Sequence, residues 1–357
     1  MVTVVSFIFV LGVLIFIHEL GHFLVAKKVG IRVETFSLGF PPNLLSKKIG
    51  ETKYCIGIIP LGGYVKMAGD NPNEGTSGAP WEFMSKSILQ RAAVVFAGPF
   101  MNYVLAIVLL IGVFYFGGRP VVDPEQVVVG EVIPDAPADR AGLKPNDAII
   151  AIDGLAVSSM DSLRARINSR IEQPVVLTWV HESDTLTAEM VTIVTSVPNA
   201  DGGLDSVGIV GFSQQIMRYD KVSFLESVRT GFVTAHVLVA GTVQFLGKFV
   251  TGEMSVKAIG GPLFIARQSG REARKGASSL FIFMALLSIN LAILNILPIP
   301  ILDGGHLCFL VAEKIRGGPL PIKARVWAQQ VGLVLILSLI LFVTYNDVVR
   351  FVQGYWD

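Results

Sequence analysis

The chain has little cysteine and little charge, and both shortages narrow what it can be. Cys55 and Cys308 are the two cysteines in 357 residues. They lie too far apart for a disulfide framework and form no CxxC metal pattern. Charged residues make up only 16% of the chain, and no basic run marks a nucleic-acid surface. The formal net charge of +1 carries no information about partners. The first apolar run, from Val2, lacks a basic leading segment and a small-residue cleavage site. It reads as a retained segment rather than a cleaved signal peptide. Apolar residues are what the chain has in excess: 52% of the composition, with a mean hydropathy of +0.61. That balance excludes an ordinary soluble protein and indicates an integral membrane protein.

A span needs about twenty apolar residues. Stretches near 2–26, 93–116, 280–302 and 326–345 meet that length or nearly so. A fifth, near 231–250, is interrupted by Gly231, His236, Gly241, Gln244, Gly247 and Lys248. The 27–91 segment carries nine basic residues against five acids, and 312–325 carries four against Glu313 alone. Both are expected on the cytoplasmic side. The long, nearly balanced 119–275 segment is expected outside.

The first run ends in His18-Glu19-Leu20-Gly21-His22. Residues four apart on a helix share a face, so His18 and His22 can direct two imidazoles at one ion. Glu19 flanks that site and can take a proton from a metal-bound water. Three ionisable groups this deep in an apolar segment cost several kcal/mol unless compensated, and a bound Zn²⁺ compensates them. A carboxylate snorkelling from the helix end is the bland alternative.

Two histidines and a water leave one tetrahedral position for the protein. Asp303 follows an apolar run that begins near Leu280, with His306 as its rival three residues on. Parity supports Asp303. If 280–302 runs outside to inside, Asp303 lies at the depth of His18 and His22, provided 93–116 is the one crossing between them. Residues 222–250 are then expected as an amphipathic helix on the outer face or against the bundle. Pro298 and Pro300 break the helix before Asp303, which is tolerated at membrane depth only in a protein-lined or wet cavity. Asn290 and Asn295 precede the break. They can contact an extended peptide, or bond between helices as polar residues in spans commonly do.

Residues 32–67 alternate as strands, turning at Pro60-Leu61-Gly62-Gly63 into Tyr64-Val65-Lys66-Met67. Residues 70–80 read as a polar, turn-rich loop. Between 125 and 197, Val127–Val132 is strand-like and the 134–143 segment gives a turn and short helix. A strand ending at Asp153-Gly154, a helix over 162–171 and strands at 175–180 and 186–194 follow. That order resembles a PDZ domain of the bacterial membrane-protease type, with Asn146-Asp147 where Gly-Asp is usual.

Together these elements resemble the site-2 protease family of intramembrane metalloproteases, most closely its bacterial RseP type. The resemblance rests on His18–His22, on Ala97-Gly98-Pro99-Phe100-Met101-Asn102, on Gly62–Met67, and on Asn295, Pro298 and Leu302-Asp303-Gly304. The best-known RseP-type enzymes carry two PDZ domains, whereas residues 198–220 are too short for a second here.

The resemblance implies a polytopic α-helical membrane protein with four transmembrane helices, a membrane-associated β-sheet and one extracytoplasmic PDZ domain. Its expected segments are 1–26 and 92–118 as first and second helices, with 27–91 as the β region between them. The PDZ domain takes 119–200, and a linker with the amphipathic helix takes 201–279. The third helix takes 280–311, a cytoplasmic loop 312–325, and the fourth helix with the tail 326–357. The implied activity is zinc proteolysis inside a membrane, in the bacterial inner membrane. Implied partners are single-pass substrates such as anti-sigma factors, remnant signal peptides and membrane lipid, and no nucleic acid. One Zn²⁺ per chain would be held by His18, His22 and Asp303, with Glu19 as the base. Gly63, Tyr64, Val65, Lys66, Asn290 and Asn295 would hold substrate. The competing reading is a non-catalytic membrane PDZ adaptor with a structural zinc. A metal transporter is a third, but it would show several intramembrane ionisable clusters.

Overall fold

A computed structural model describes residues 1–70, 77–122, 126–198, 204–252 and 260–352. Part of the expected 70–80 loop therefore lies outside the described residues. In chain order the elements begin with α1 (Val2–Lys28), β1 (Val33–Ile49), β2 (Thr52–Met67) and α2 (Ile88–Gly112). Then come β3 (Arg119–Val122), β4 (Val127–Val132), α3 (Pro137–Arg140), β5 (Ala148–Ile152) and β6 (Leu155–Ala156). These are followed by α4 (Met160–Asn168), β7 (Pro174–His181), β8 (Asp184–Val191), β9 (Ile193–Pro198) and β10 (Leu204–Ile209). The chain continues through β11 (Phe212–Gln214), β12 (Ile216–Asp220), α5 (Phe224–Thr251) and α6 (Pro262–Lys275). It closes with α7 (Ala277–Ile296), α8 (Asp303–Arg316) and α9 (Ile322–Val352). Two compact units result, one of residues 1–113 with 228–357, the other of 114–227.

In the first unit, α1 is an uninterrupted apolar helix. Lys27 and Lys28 in its last turn complement the negative end of the helix dipole. Helix α2 starts at a capping box, in which Ser87 accepts from the Gln90 backbone N–H and Gln90 accepts from that of Ser87. Val10, Leu14 and Met284 form the buried centre where α1, α2 and α7 meet. A second buried group, Ala26, Ile31, Val33 and Val94, seats the β1–β2 sheet against the end of α1. In that sheet Phe36 is partnered by both Tyr54 and Val65, so β1 lies between two stretches of β2. Residues Gly63 to Met67 pair with β1 on one flank, and among the described residues no strand pairs with their other flank.

Helix α7 ends at Ile296 because Pro298 and Pro300 lack the N–H that would extend it. The helix restarts as α8 with Asp303 in its first turn. The expected third span over 280–311 is thus two helices with a break, and α8 continues to Arg316 in what was expected as loop. Glu313, almost fully buried on α8, pairs with Arg91 of α2 at 3.0 Å and with Arg325 of α9.

Among the described residues five helices are long and apolar enough to cross a membrane, against the four expected. The additional one is α5. It packs along the bundle: Gly231 lies against Ile111, the Tyr103 and His236 rings lie 6.2 Å apart, and Thr242 donates to Asn290 Oδ1 at 2.8 Å. Of the residues that made the stretch look unlike a span, Gly231 and His236 are accommodated by these contacts. Helix α6 was not anticipated. Buried Asp347 of α9 holds its start by accepting from Gly261 and Phe264 N–H, each at 3.1 Å.

The second unit is built on a sheet ordered β11-β4-β5-β7-β8, with β6 on β5. Strands β9 with β10 and β3 with β12 form two further pairs. Ile152, Leu163, Leu177 and Trp179 are in its core. Buried Asp147 accepts from His181 Nδ1 at 2.6 Å. The unit extends past the expected boundary at 200, because β11 completes the sheet on β4.

Candidate metal centre

The unbroken helix α1 places His18 and His22 on one face, one turn apart. Their Nε2 atoms stand 3.2 Å from each other. Asp303 Oδ2 lies 3.2 Å from His18 Nε2 and 3.5 Å from His22 Nε2. Among the described residues this is the group of three or more His, Cys, Asp or Glu side chains arranged to hold a metal ion. His306, the rival to Asp303, lies outside it.

The three atoms fit a zinc ion. Zn–N and Zn–O bonds of about 2.0–2.2 Å at tetrahedral angles place ligand atoms about 3.3–3.5 Å apart, which is one face of a tetrahedron. The buried Asp303 Oδ2 has no hydrogen-bond partner. It approaches both imidazoles without hydrogen-bonding geometry, as a lone pair directed at a shared cation would. Two imidazoles and a carboxylate are a donor set that zinc accepts, with a fourth position left for water or substrate.

Helix α2 builds the wall behind the histidines. Val94, Gly98 and Asn102 are spaced four apart and so form one stripe along its face. The Val94 carbonyl accepts from His22 Nδ1 at 2.8 Å, and the Asn102 amide lies 3.3 Å from His18 Nδ1. Between them a Cβ on Gly98 would fall 2.6 Å from His22 Cε1 and 2.8 Å from His18 Cε1. Only glycine lets the two rings sit against this helix. Gly98 and Asn102 stand in the Ala97–Asn102 segment, whose sequence alone gives neither of them a role. Their shared helix face with Val94 was the available signal.

Strand β2 closes another side. A Cβ on Gly63 would lie 3.0 Å from Glu19 Cγ, so the strand passes directly beside that carboxylate. Tyr64, Val65 and Lys66 follow along β2, each paired with β1. The Tyr64 ring stacks on Phe40 at 6.4 Å, and Lys66 reaches Glu34 at 3.5 Å. Asn290 is engaged by Thr242, and Asn295 lies half-buried in the last turn of α7.

A polytopic helical bundle with a His–His–Asp group between its helices defines a membrane metallopeptidase. Comparison with known proteins makes the assignment specific. The sequence profile of Peptidase family M50 matches residues 6–339. The chain belongs to that family, the site-2 proteases, and is a multi-pass zinc metalloprotease. Zinc metalloprotease RasP of Geobacillus kaustophilus is 30% identical, over 98% of each chain. Atu1380 of Agrobacterium fabrum, which carries a provisional zinc metalloprotease name, is 36% identical over 97% of this chain and 95% of its own. A similarly named protein of Clostridium perfringens, CPE1693, is 35% identical over 94% and 95%. Among solved structures, the PDZ domain of an SdrC-like protein of Listeria monocytogenes is 24% identical with a TM-score of 0.21. It covers 26% of this chain and 92% of its own.

Proposed function

We propose that this protease cuts membrane-spanning segments of single-pass proteins, with anti-sigma factors and remnant signal peptides as its substrates. Its place is the bacterial inner membrane, with four crossings and α5 leaning into the bundle without completing a fifth. The 114–227 unit, with the strand and helix order expected of a PDZ domain, faces outward, and the metal centre lies toward the cytoplasm. One observation carries the reading: His18, His22 and Asp303 form a zinc-sized triangle beside Glu19, among helices built for lipid.

In this reading His18, His22 and Asp303 hold one zinc ion per chain. When bound, the ion polarises the scissile carbonyl and brings the pKa of water toward about 7. The Glu19 carboxylate accepts the proton of the attacking water and passes it to the leaving amine. A helical substrate must first unwind, because its peptide bonds are sealed in intrahelical hydrogen bonds. The Gly63–Lys66 flank offers an unwound segment the backbone partners it would otherwise lack, at several kcal/mol each in lipid. Asn290 and Asn295 hold the opposite side, and Thr242 yields its bond to Asn290 as substrate arrives.

The test uses purified protein in detergent with a model transmembrane substrate and metal analysis by emission spectroscopy. Glu19→Gln keeps its zinc and loses turnover. The His18→Ala/His22→Ala double variant loses both. A parent protein that holds zinc yet leaves the substrate intact, or a Glu19→Gln variant that cleaves at the parent rate, refutes the proposal. The first of those results would favour a structural zinc in a membrane adaptor.

A further inference from the structure

Asn102 is fully buried in α2, and its side-chain amide is half-satisfied. Nδ2 lies 3.3 Å from His18 Nδ1, while Oδ1 is buried with no partner. A buried carbonyl oxygen without a donor is destabilising, so an orphan beside a metal ligand calls for a physical reason.

The reason lies in which nitrogen of His18 faces the centre. Nε2 is the atom near Asp303 Oδ2 and His22 Nε2. A neutral imidazole that gives its Nε2 lone pair to a cation carries its hydrogen on Nδ1, and that hydrogen needs an acceptor. His22 has one in the Val94 carbonyl. His18 Nδ1 faces the Asn102 amide, whose NH₂ cannot accept. A half-turn of the amide brings Oδ1 to His18 as the acceptor of the Nδ1 hydrogen and turns Nδ2 into the space that Oδ1 leaves.

We infer that Asn102 is the positioning residue of the metal centre: its Oδ1 accepts from His18 Nδ1–H and so fixes the tautomer and the ring plane with which His18 meets the zinc. The two amide orientations match the two tautomers. With Nδ2 toward the ring, His18 carries its hydrogen on Nε2, the nitrogen that faces the centre. With Oδ1 toward the ring, Nε2 is free to bind. The backbone of Asn102 is anchored independently, since its carbonyl accepts from buried Ser288 Oγ at 2.7 Å. Rotation of the amide therefore leaves the helix contact undisturbed.

This inference rests on the proposed zinc reading, so the test separates the two. Zinc dissociation constants are measured by titrating metal-free protein against a competing chelator. Parent, Asn102→Ala, Asn102→Asp, Ser288→Ala and His18→Ala are compared. Loss of an outer partner of a metal-bound imidazole weakens binding by about 10–100-fold, which is the expectation for Asn102→Ala. Asn102→Asp, nearly isosteric and with a carboxylate acceptor, is expected within about threefold of the parent or tighter. Ser288→Ala alters packing at the same place without touching the amide and keeps the parent affinity. Asn102→Leu, which keeps the volume and lacks the acceptor, repeats the alanine expectation if the smaller side chain fails to fold. Parent affinity in both Asn102→Ala and Asn102→Leu overturns the inference. So does an Asn102→Asp loss as large as that of alanine, or a Ser288→Ala loss that matches it. If the parent holds no zinc, the metal reading itself fails and takes this role with it. If His18→Ala abolishes binding while Asn102→Ala does not weaken it, only the role of Asn102 falls.

Discussion

Gly98→Ala puts the wall behind the histidines to a direct test. The added methyl would lie 2.6 Å from His22 Cε1 and 2.8 Å from His18 Cε1. Carbon atoms pack at about 3.5–4.0 Å, so about 1 Å must be recovered by moving α2 away from α1 or by turning the rings. Zinc ligands hold their distances to within about 0.2 Å, so either movement takes an imidazole out of range. A misplacement of about 1 Å at a reacting centre costs about a hundredfold. Zinc affinity and turnover are each expected to fall by at least that factor, equivalent to about 2.8 kcal/mol. Chelator competition reads the first, and cleavage of a transmembrane substrate at matched protein concentration reads the second. Gly112, at the end of the same helix, is the internal control. A Cβ there meets nothing within 4 Å, so Gly112→Ala leaves both measurements unchanged. A Gly98→Ala protein that binds zinc and cleaves like the parent would mean that the rings do not rest against α2, and the described geometry would be wrong.

Val65→Pro removes one backbone donor from β2 and bends the strand. Cleavage is expected to drop about tenfold, the equivalent of one hydrogen bond of ~1.4 kcal/mol, with zinc content unchanged; an unaltered rate would leave residues 62–67 as support for the fold alone. Glu313→Leu strands Arg91 and Arg325 without their shared carboxylate. Breaking a buried pair in this way destabilises by about 3–5 kcal/mol, so the detergent-solubilised protein should melt well below the parent, and an unchanged melting point would refute that role. Buried Glu82 accepts from Ser77 Oγ at 2.6 Å and from Ser77 and Gly78 N–H at 3.0 and 3.1 Å, and these bonds hold its carboxyl below the ordinary glutamate value. Its contribution is complete above that ordinary value and is lost as pH falls through the lowered one. Amide exchange at Ser77 and Gly78, corrected for its intrinsic pH dependence, should accelerate under acid. Glu82→Gln should remove that step, and persistence of the step in the variant would assign it to another group.

Much of the centre could be read from residues alone, because its signals are local. The His18–His22 spacing is a helical repeat, and Asp303 stands out as a carboxylate after an apolar run. Pro298 and Pro300 announce the break that turns it inward. What escaped the reading depends on which helices are neighbours. Val94, Gly98 and Asn102 look like ordinary helix residues until α2 is known to run antiparallel along α1, pairing His22 with Val94 and His18 with Asn102. Helix α5 was ambiguous for the same reason: Gly231 and His236 look misplaced in a span until Ile111 and Tyr103 are seen opposite them. Glu313 read as a lone acid in a basic stretch, though it is the shared partner of two arginines distant in sequence.

The two halves of the metal centre lie near opposite ends of the chain, with His18 and His22 in the first helix and Asp303 beyond the seventh. During synthesis the histidines reach the membrane long before the aspartate has been translated. A nascent protease therefore sits beside freshly inserted helices while it is still chemically incomplete. Its cutting edge is finished only when α8 docks, by which time the 114–227 unit and most of the bundle have already been made. The order of the chain thus delays the assembly of the His–His–Asp group until nearly all of the protein has been made.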